Sequence, residues 1–229
     1  MPLKKAAGNM YPWVTHTHCH LGGECPHKCS YCYVEHPRFG RPEKYQGKLR
    51  LIEKEFDVNY GKGKTIFEEN CNDMFAAEVL DRFIIRILTH CRAYPFNTYV
   101  FQSKNTARML TVHPSNWPTT AILGTTIETN RDIPPSISKA PRPEERMLAM
   151  EKLQRRKFVT IEPVMDFDVD ILASWIDRIR PEFLNLGADS KDHHLPEPAV
   201  DKIHALVRKL KEYGIELREK HNLQRLKKR

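Results

Sequence analysis

The sequence predicts an α/β fold on a parallel sheet, and three observations predict it. Short β-branched and aromatic runs alternate with amphipathic stretches of helical length along most of the 229 residues. Glycine, proline and asparagine clusters separate them, as expected of βα units. The composition, 40% hydrophobic and 29% charged, is that of a globular chain long enough for one sizeable core. βα units around a parallel sheet satisfy this pattern, and a doubly wound open sheet fits it as well.

The elements follow in order. Trp13–Cys19 reads as a first strand, with a cysteine-rich loop directly after it. The Gly61/Gly63 turn leads into a strand at Thr65–Glu69, then a helix carrying Phe75, Val79, Leu80, Phe83, Ile84, Ile87 and Leu88 on one face. Thr98–Phe101 is the next strand, and Asn105 is placed to cap the helix of Ala107 and Leu110. Ala121–Ile127 is a strand after the Pro118 break. The proline-rich stretch 133–143 is loop, and the helix of Met147, Leu148 and Leu153 begins beyond it. Phe158–Ile161 is a strand, and Asp168 caps a helix with Ile171, Leu172, Trp175, Ile176 and Ile179. Phe183–Leu186 is a strand, Val200, Ile203, Leu206, Val207 and Leu210 mark the last long helix, and Ile215–Leu217 adds a further strand.

The loop after the first strand carries the most specific chemistry. Cys25, Cys29 and Cys32 stand at C-x-x-x-C-x-x-C, with Tyr31 before the last thiol. Iron–sulfur clusters are held by cysteine thiolates, usually four, so three thiols can hold three irons of a cubane and leave the fourth iron open. Zinc is the rival reading, because Cys19, His16, His18, His20 and His27 crowd the same stretch. One compact triplet without a second knuckle is not the usual zinc pattern. Six cysteines without an apolar secretory segment argue against a disulfide framework and for a reducing cytoplasm. No run is long enough for a transmembrane helix, and no glycine-rich phosphate loop is present; Gly61–Lys64 is a turn.

Net charge is +8 and unevenly placed. Nine Lys/Arg against three Glu between Arg208 and Arg229 account for most of it. The tail 221–229 is therefore a candidate for phosphate contact, against the commoner reading of a solvated terminus. Residues 1–220 are expected to form one unit.

In parallel barrels functional groups gather at the C-terminal ends of strands. Those ends here carry Glu68–Asp73, Gln102–Lys104, Glu128–Asn130, Glu162, and Asn185 to Asp189 with His193 and His194 beyond. Ser103 and Lys104 offer a hydroxyl and an ammonium suited to a ribose or a carboxylate. Asn72 and Asp73 double as helix-cap candidates. Glu162 lies within an apolar run and needs either a hydrogen-bonding partner, such as Lys or Arg, or a function. Cys91 reads as a packing thiol.

The cysteine spacing resembles the signature of radical SAM enzymes. The order of Tyr11-Pro-Trp13, Asn72-Asp-Met-Phe75, Phe101-Gln-Ser-Lys-Asn105, Arg108-Met-Leu110, Leu123–Glu128, Phe158–Pro163 and Leu184–Gly187 resembles a phage-associated radical-SAM-like family and, more distantly, spore photoproduct lyase. It spans Tyr11 to Glu219. The resemblance implies a partial (βα)6 barrel of radical SAM type, with Cys25, Cys29 and Cys32 holding a [4Fe–4S] cluster whose open iron takes S-adenosyl-L-methionine. Tyr31, Asn72, Asp73, Ser103, Lys104, Glu128 and Asn185 are then the candidates for binding SAM, and Glu128, Glu162 and Cys71 for the catalytic side. Cys71 and Cys19 read by default as ordinary buried thiols, and the weak S–H bond makes either a candidate hydrogen-atom donor to a substrate radical. The chain lacks the family's Gly-Gly at Asn72, and Cys19 stays open as a ligand. An external electron donor of flavodoxin or ferredoxin type is implied. The substrate is open, with nucleic acid or nucleotide beside peptide and small molecule. The contrasting reading is a zinc-stabilised nucleic-acid-binding protein without catalysis, and a third is aminocarboxypropyl transfer from SAM.

Overall fold

The alternation read from the sequence is present as parallel strands and intervening helices in a computed structural model, which describes residues 3–35, 43–191 and 193–227. The chain divides into two compact units, residues 1–27 with 32–123 and residues 28–31 with 124–229. The cysteine loop thus contributes its middle residues, 28–31, to the second unit.

In the first unit, β1 (Lys4–Lys5) pairs antiparallel with β2 (His16–His18). A separate antiparallel pair joins β3 (Leu21–Gly22) to β4 (Arg50–Leu51). β2 lies parallel to β5 (Thr65–Glu68), with His18 opposite Glu68. The helix α1 (Asp81–Arg92) follows, with an acidic residue in its first turn and His90 and Arg92 in its last, both favourable to the helix dipole. β6 (Thr98–Gln102) is parallel to β5, placing Phe101 opposite Glu68. The short α2 (Thr106–Met109) comes next. Ile66, Tyr99 and Val100 from the strands and Ile84, Ile87 and Leu88 from α1 are buried. Each such aliphatic or aromatic side chain contributes about 1.5–3 kcal/mol relative to exposure.

β7 (Ala121–Thr126) is buried at every residue and is where the chain passes from the first unit to the second. The second unit continues with α3 (Pro143–Lys152), β8 (Lys157–Ile161), α4 (Val169–Ile179), β9 (Phe183–Leu186), α5 (Val200–Glu212), β10 (Leu217–Glu219) and α6 (Gln224–Lys227). β8, β9 and β10 are mutually parallel, with Phe158 opposite Phe183 and Leu184 opposite Leu217. Near-continuous apolar strands such as β7 and β9 are what a sheet covered on both faces requires.

Several boundaries differ from expectation. α1 begins at Asp81, six residues after Phe75, because Asn72 and Asp73 turn the chain first: the Asp73 amide donates to Asn72 Oδ1 (2.9 Å) and the Phe75 amide to Asp73 Oδ1 (2.9 Å). Such local side-chain bonds compete with helix, and Phe75 and Val79 reach the core from loop instead. Asn105 and Asp168 occupy N-cap positions without a side-chain capping bond; the Asp168 carboxylate is taken by Arg131 and Asn130. The first strand is shorter than Trp13–Cys19, and the last lies two residues beyond Ile215. Among the described residues no helix is long and apolar enough to cross a membrane.

Candidate functional site

The chain enters the cysteine loop at Gly23, whose φ of +92° and approach to the Lys48 carbonyl leave no space for a Cβ. The Glu24 amide then donates to Gly47 O (2.9 Å). Cys25, Cys29 and Cys32 are in no disulfide and are of intermediate exposure.

On the first unit's side, His27 anchors this loop. It is buried, and its Nε2 lies 2.8 Å from Asp73 Oδ2. The Asp73 carboxylate also accepts from Ser103 Oγ (2.7 and 2.9 Å) and from the Lys104 amide (2.8 Å). Asn72 Nδ2 donates to Gly23 O (3.1 Å). The structure thus brings Asn72, Asp73, Ser103 and the Lys104 backbone to one place, with Asp73 as the hub. Burial pushes the Asp73 carboxyl up, but His27, the Lys104 amide and Ser103 together hold it below its ordinary value. His27 entered the sequence reading only as a candidate zinc ligand.

Cys71 lies beside Cys19 and Tyr33. The Cys71 amide donates to Cys19 Sγ (3.4 Å), and Tyr33 Oη is 3.4 Å from Cys71 Sγ. The hydrogen bond from Cys19, supported by Tyr33 and Tyr45 against burial, draws the Cys71 thiol down to about 6. Burial pushes Cys19 up. Cys91 is fully buried in α1, as a packing thiol should be.

The second unit holds the loop's middle. The Ser30 amide donates to Ile137 O (2.8 Å), and Cys29 Sγ lies 3.2 Å from Ser138 Oγ. Tyr31 donates its hydroxyl to Glu128 Oε1 (2.5 Å), and Arg146 Nη1 donates to Glu128 Oε2 (2.7 Å). Both Glu128 and Arg146 are buried. Arg146 is further fixed by the carbonyls of Thr126 and Pro141 (2.8 and 2.7 Å). Burial, then Glu128, pushes the Tyr31 phenol well above its usual range, so it remains a donor. Arg146 escaped the sequence reading, although it stands in the stripe Pro143, Arg146, Met147, Met150 that α3 buries. An arginine inside an apolar stripe is a readable signal for a buried anion.

Glu162 pairs with Lys220 (2.8 Å) and accepts from Asn222 Nδ2 (2.9 Å). A Cβ on Gly187 would meet the Glu162 carboxylate at 2.9 Å, so glycine makes room for it. Asn185 Nδ2 donates to Thr160 Oγ1 (3.2 Å). His193 is bound through Nδ1 to Asp189 (2.6 Å). An open groove of about 660 Å³ is lined by the loop from Asp132 to Arg142, Ser138 included.

Parallel βα units follow a three-cysteine loop set after an early strand, an α/β arrangement. Solved structures share the fold. A spore photoproduct lyase mutant matches with a TM-score of 0.65 at 10% identity over 94% of this chain and 80% of its own. A mutant of that lyase with bound AdoMet and dinucleoside spore photoproduct matches at 0.56 and 11%, over 90% and 63%. Streptococcus suis SuiB bound to S-adenosylmethionine matches at 0.55 and 9%, over 92% and 51%. The chain spans under two thirds of the latter two chains, and at these identities the likeness is one of fold. No protein-family model matches the sequence, and neither does any curated protein.

Proposed function

We propose that the chain is a radical SAM enzyme in which Cys25, Cys29 and Cys32 hold a [4Fe–4S] cluster. The observation that carries the reading is the three-thiol loop, without a disulfide, in a fold shared with structures that bind S-adenosylmethionine. The donor set fits: three thiols in no disulfide, with a hydroxyl beside Cys29 able to donate to its sulfur. When bound, the cluster supplies the electron that cleaves S-adenosylmethionine and releases a hydrogen-abstracting 5′-deoxyadenosyl radical. The protein positions and shields that chemistry.

Asp73 already has four partners, so its role, and that of Ser103, is to fix His27 and the loop. The Lys104 ammonium and the Asn72 amide are the groups for the carboxylate and amino ends of S-adenosylmethionine. Tyr31, between the second and third cysteines in sequence, is oriented by Glu128, which Arg146 fixes in turn. Glu162 and Asn185 stand on the substrate side. Burial keeps Cys19 protonated, so the S–H donor to a substrate radical is Cys19; Cys71, drawn toward thiolate at neutral pH, has no hydrogen atom to give. A nucleotide or nucleic-acid substrate is supported by the lyase's bound dinucleoside photoproduct and the basic tail. An external flavodoxin- or ferredoxin-type donor would deliver the electron.

The test is anaerobic reconstitution with S-adenosylmethionine and a strong reductant, then identification of the nucleoside released. 5′-Deoxyadenosine, absent in Cys29→Ala, is the expected result. Methylthioadenosine would mean aminocarboxypropyl transfer. Neither nucleoside, with zinc that Cys29→Ala removes, would make the triplet a structural zinc site and overturn the reading.

A further inference from the structure

Three of the buried carboxylates in this fold show how such a group is normally satisfied. Asp73 has His27 and a set of donors, and Glu128 has Arg146 and Tyr31. Glu69 accepts at Oε1 from the His20 amide (2.6 Å) and at Oε2 from the Leu21 amide (3.1 Å). Glu68 breaks the rule. It is 1% exposed, and neither carboxylate oxygen has a partner at full hydrogen-bond geometry; only the Tyr60 hydroxyl and the Cys91 thiol lean toward it. Burying a carboxylate in this way costs several kcal/mol unless a proton or a cation accompanies it.

The surroundings of Glu68 supply ligands rather than cations. His20, fully buried, places Nδ1 3.6 Å from Glu68 Oε2 and 3.1 Å from Glu69 Oε1. One ligand atom from each of His20, Glu68 and Glu69 falls within 4.8 Å of the other two. Ligands about 2.1 Å from a tetrahedral zinc stand about 3.4 Å apart, between the two measured separations. Glu69 repels the charge on Glu68, while Tyr60 and Cys91 lean an O–H and an S–H toward its carboxylate; none of the three is a cation. The opposite ring nitrogen of His20 lies 3.3 Å from Tyr60 Oη, the outer hydrogen bond that ligating histidines commonly make. Glu69 has a positive φ of 56°, which interrupts the strand's alternation where two consecutive carboxylates meet one histidine.

We propose that His20, Glu68 and Glu69 form a buried divalent transition-metal site, separate in its ligands from the cysteine triplet. A nitrogen and two carboxylates suit zinc, manganese or iron(II). The +2 charge would neutralise both carboxylates, which a proton on Glu68 alone would not. With every ligand buried, the ion would be acquired on folding and exchange slowly. The inference stands whether or not the thiols carry a cluster.

The test uses the full chain, isolated from zinc-supplemented cells and dialysed against a chelator, with zinc, manganese and iron counted per chain. About one metal equivalent beyond the cluster's iron is expected, retained in Cys29→Ala and lost in Glu68→Gln. Tyr60→Phe should weaken retention about 10–100-fold while the iron of the triplet stays. Circular dichroism and cluster iron report whether each variant folds. Should Glu68→Gln not fold, Tyr60→Phe and the wild-type count decide alone. A wild type with no such equivalent overturns the site. So does a Glu68→Gln protein that matches the wild type in metal and melts higher, because Glu68 would then be a protonated acid.

Discussion

Asp73 shows at one residue how the loop is held and what acid should do to it. Its carboxyl titrates below the ordinary range although burial alone would raise it, because His27, the Lys104 amide and Ser103 favour the charged form. A carboxyl depressed in the folded state contributes stability above its unfolded value, and that stability is lost as pH falls through the folded value. Asp73→Asn should therefore cost about 1–3 kcal/mol at pH 7, with the gap to wild type closing below about pH 4. Urea melts at pH 7 and pH 3 read both. Arg146→Met leaves Glu128 buried without its cation and should cost about 3–5 kcal/mol. Adding Glu128→Gln should recover part of that loss, a coupling that a double-mutant cycle measures. The candidate carboxylates were legible as strand-end residues, but their partners were not. His27 lies 46 positions from Asp73 and Arg146 lies 18 from Glu128, and no local periodicity connects such pairs.

Among the elements, strands β5 to β9 were legible because buried parallel strands are written as short apolar runs. Helix starts were less so. Phe75 and Val79 continue the apolar spacing of α1, yet Asn72 and Asp73 spend their side chains on the turn, and the helix waits for Asp81. The two- and three-residue strands β1, β3, β4 and β10 carry too few residues for a period to show. Packing between neighbouring strands of the second unit makes a sharper demand at Gly124. A Cβ there would meet Phe158 Cζ at 2.2 Å. That ring is fully buried and stacked on Phe183 at 5.4 Å, so it has nowhere to swing. Gly124→Ala should destabilise by about 1–3 kcal/mol through overpacking. Phe158→Leu in the same chain should return some of it, which thermal melts of the single and double variants would show.

For the whole molecule, the sequence fixes where the positive charge lies but not how much of it is free. Of the nine cations from Arg208 onward, five sit in ion pairs: Lys209 with Asp170, Arg218 with Glu216, Lys220 with Glu162, Arg225 with Glu197 and Lys227 with Glu219. Lys228 and Arg229 lie outside the described residues. The last segment is also more than a tail, because Leu223 and Leu226 are buried. Deleting Arg225–Arg229 would remove Leu226 from the core, at about 2–5 kcal/mol if it behaves as a large-to-small change, and would lower nucleic-acid affinity through folding alone. The cleaner variant is Lys228→Ala with Arg229→Ala, which leaves the ion pairs and Leu226 in place. If the terminus contacts phosphates, the plot of log affinity against log salt should become shallower by about 1.4–1.8, the counterions two phosphate contacts release. An unchanged slope with unchanged affinity would mean that both residues are solvated. Lower affinity at an unchanged slope would place the effect in the fold instead, since only direct phosphate contacts carry the salt dependence.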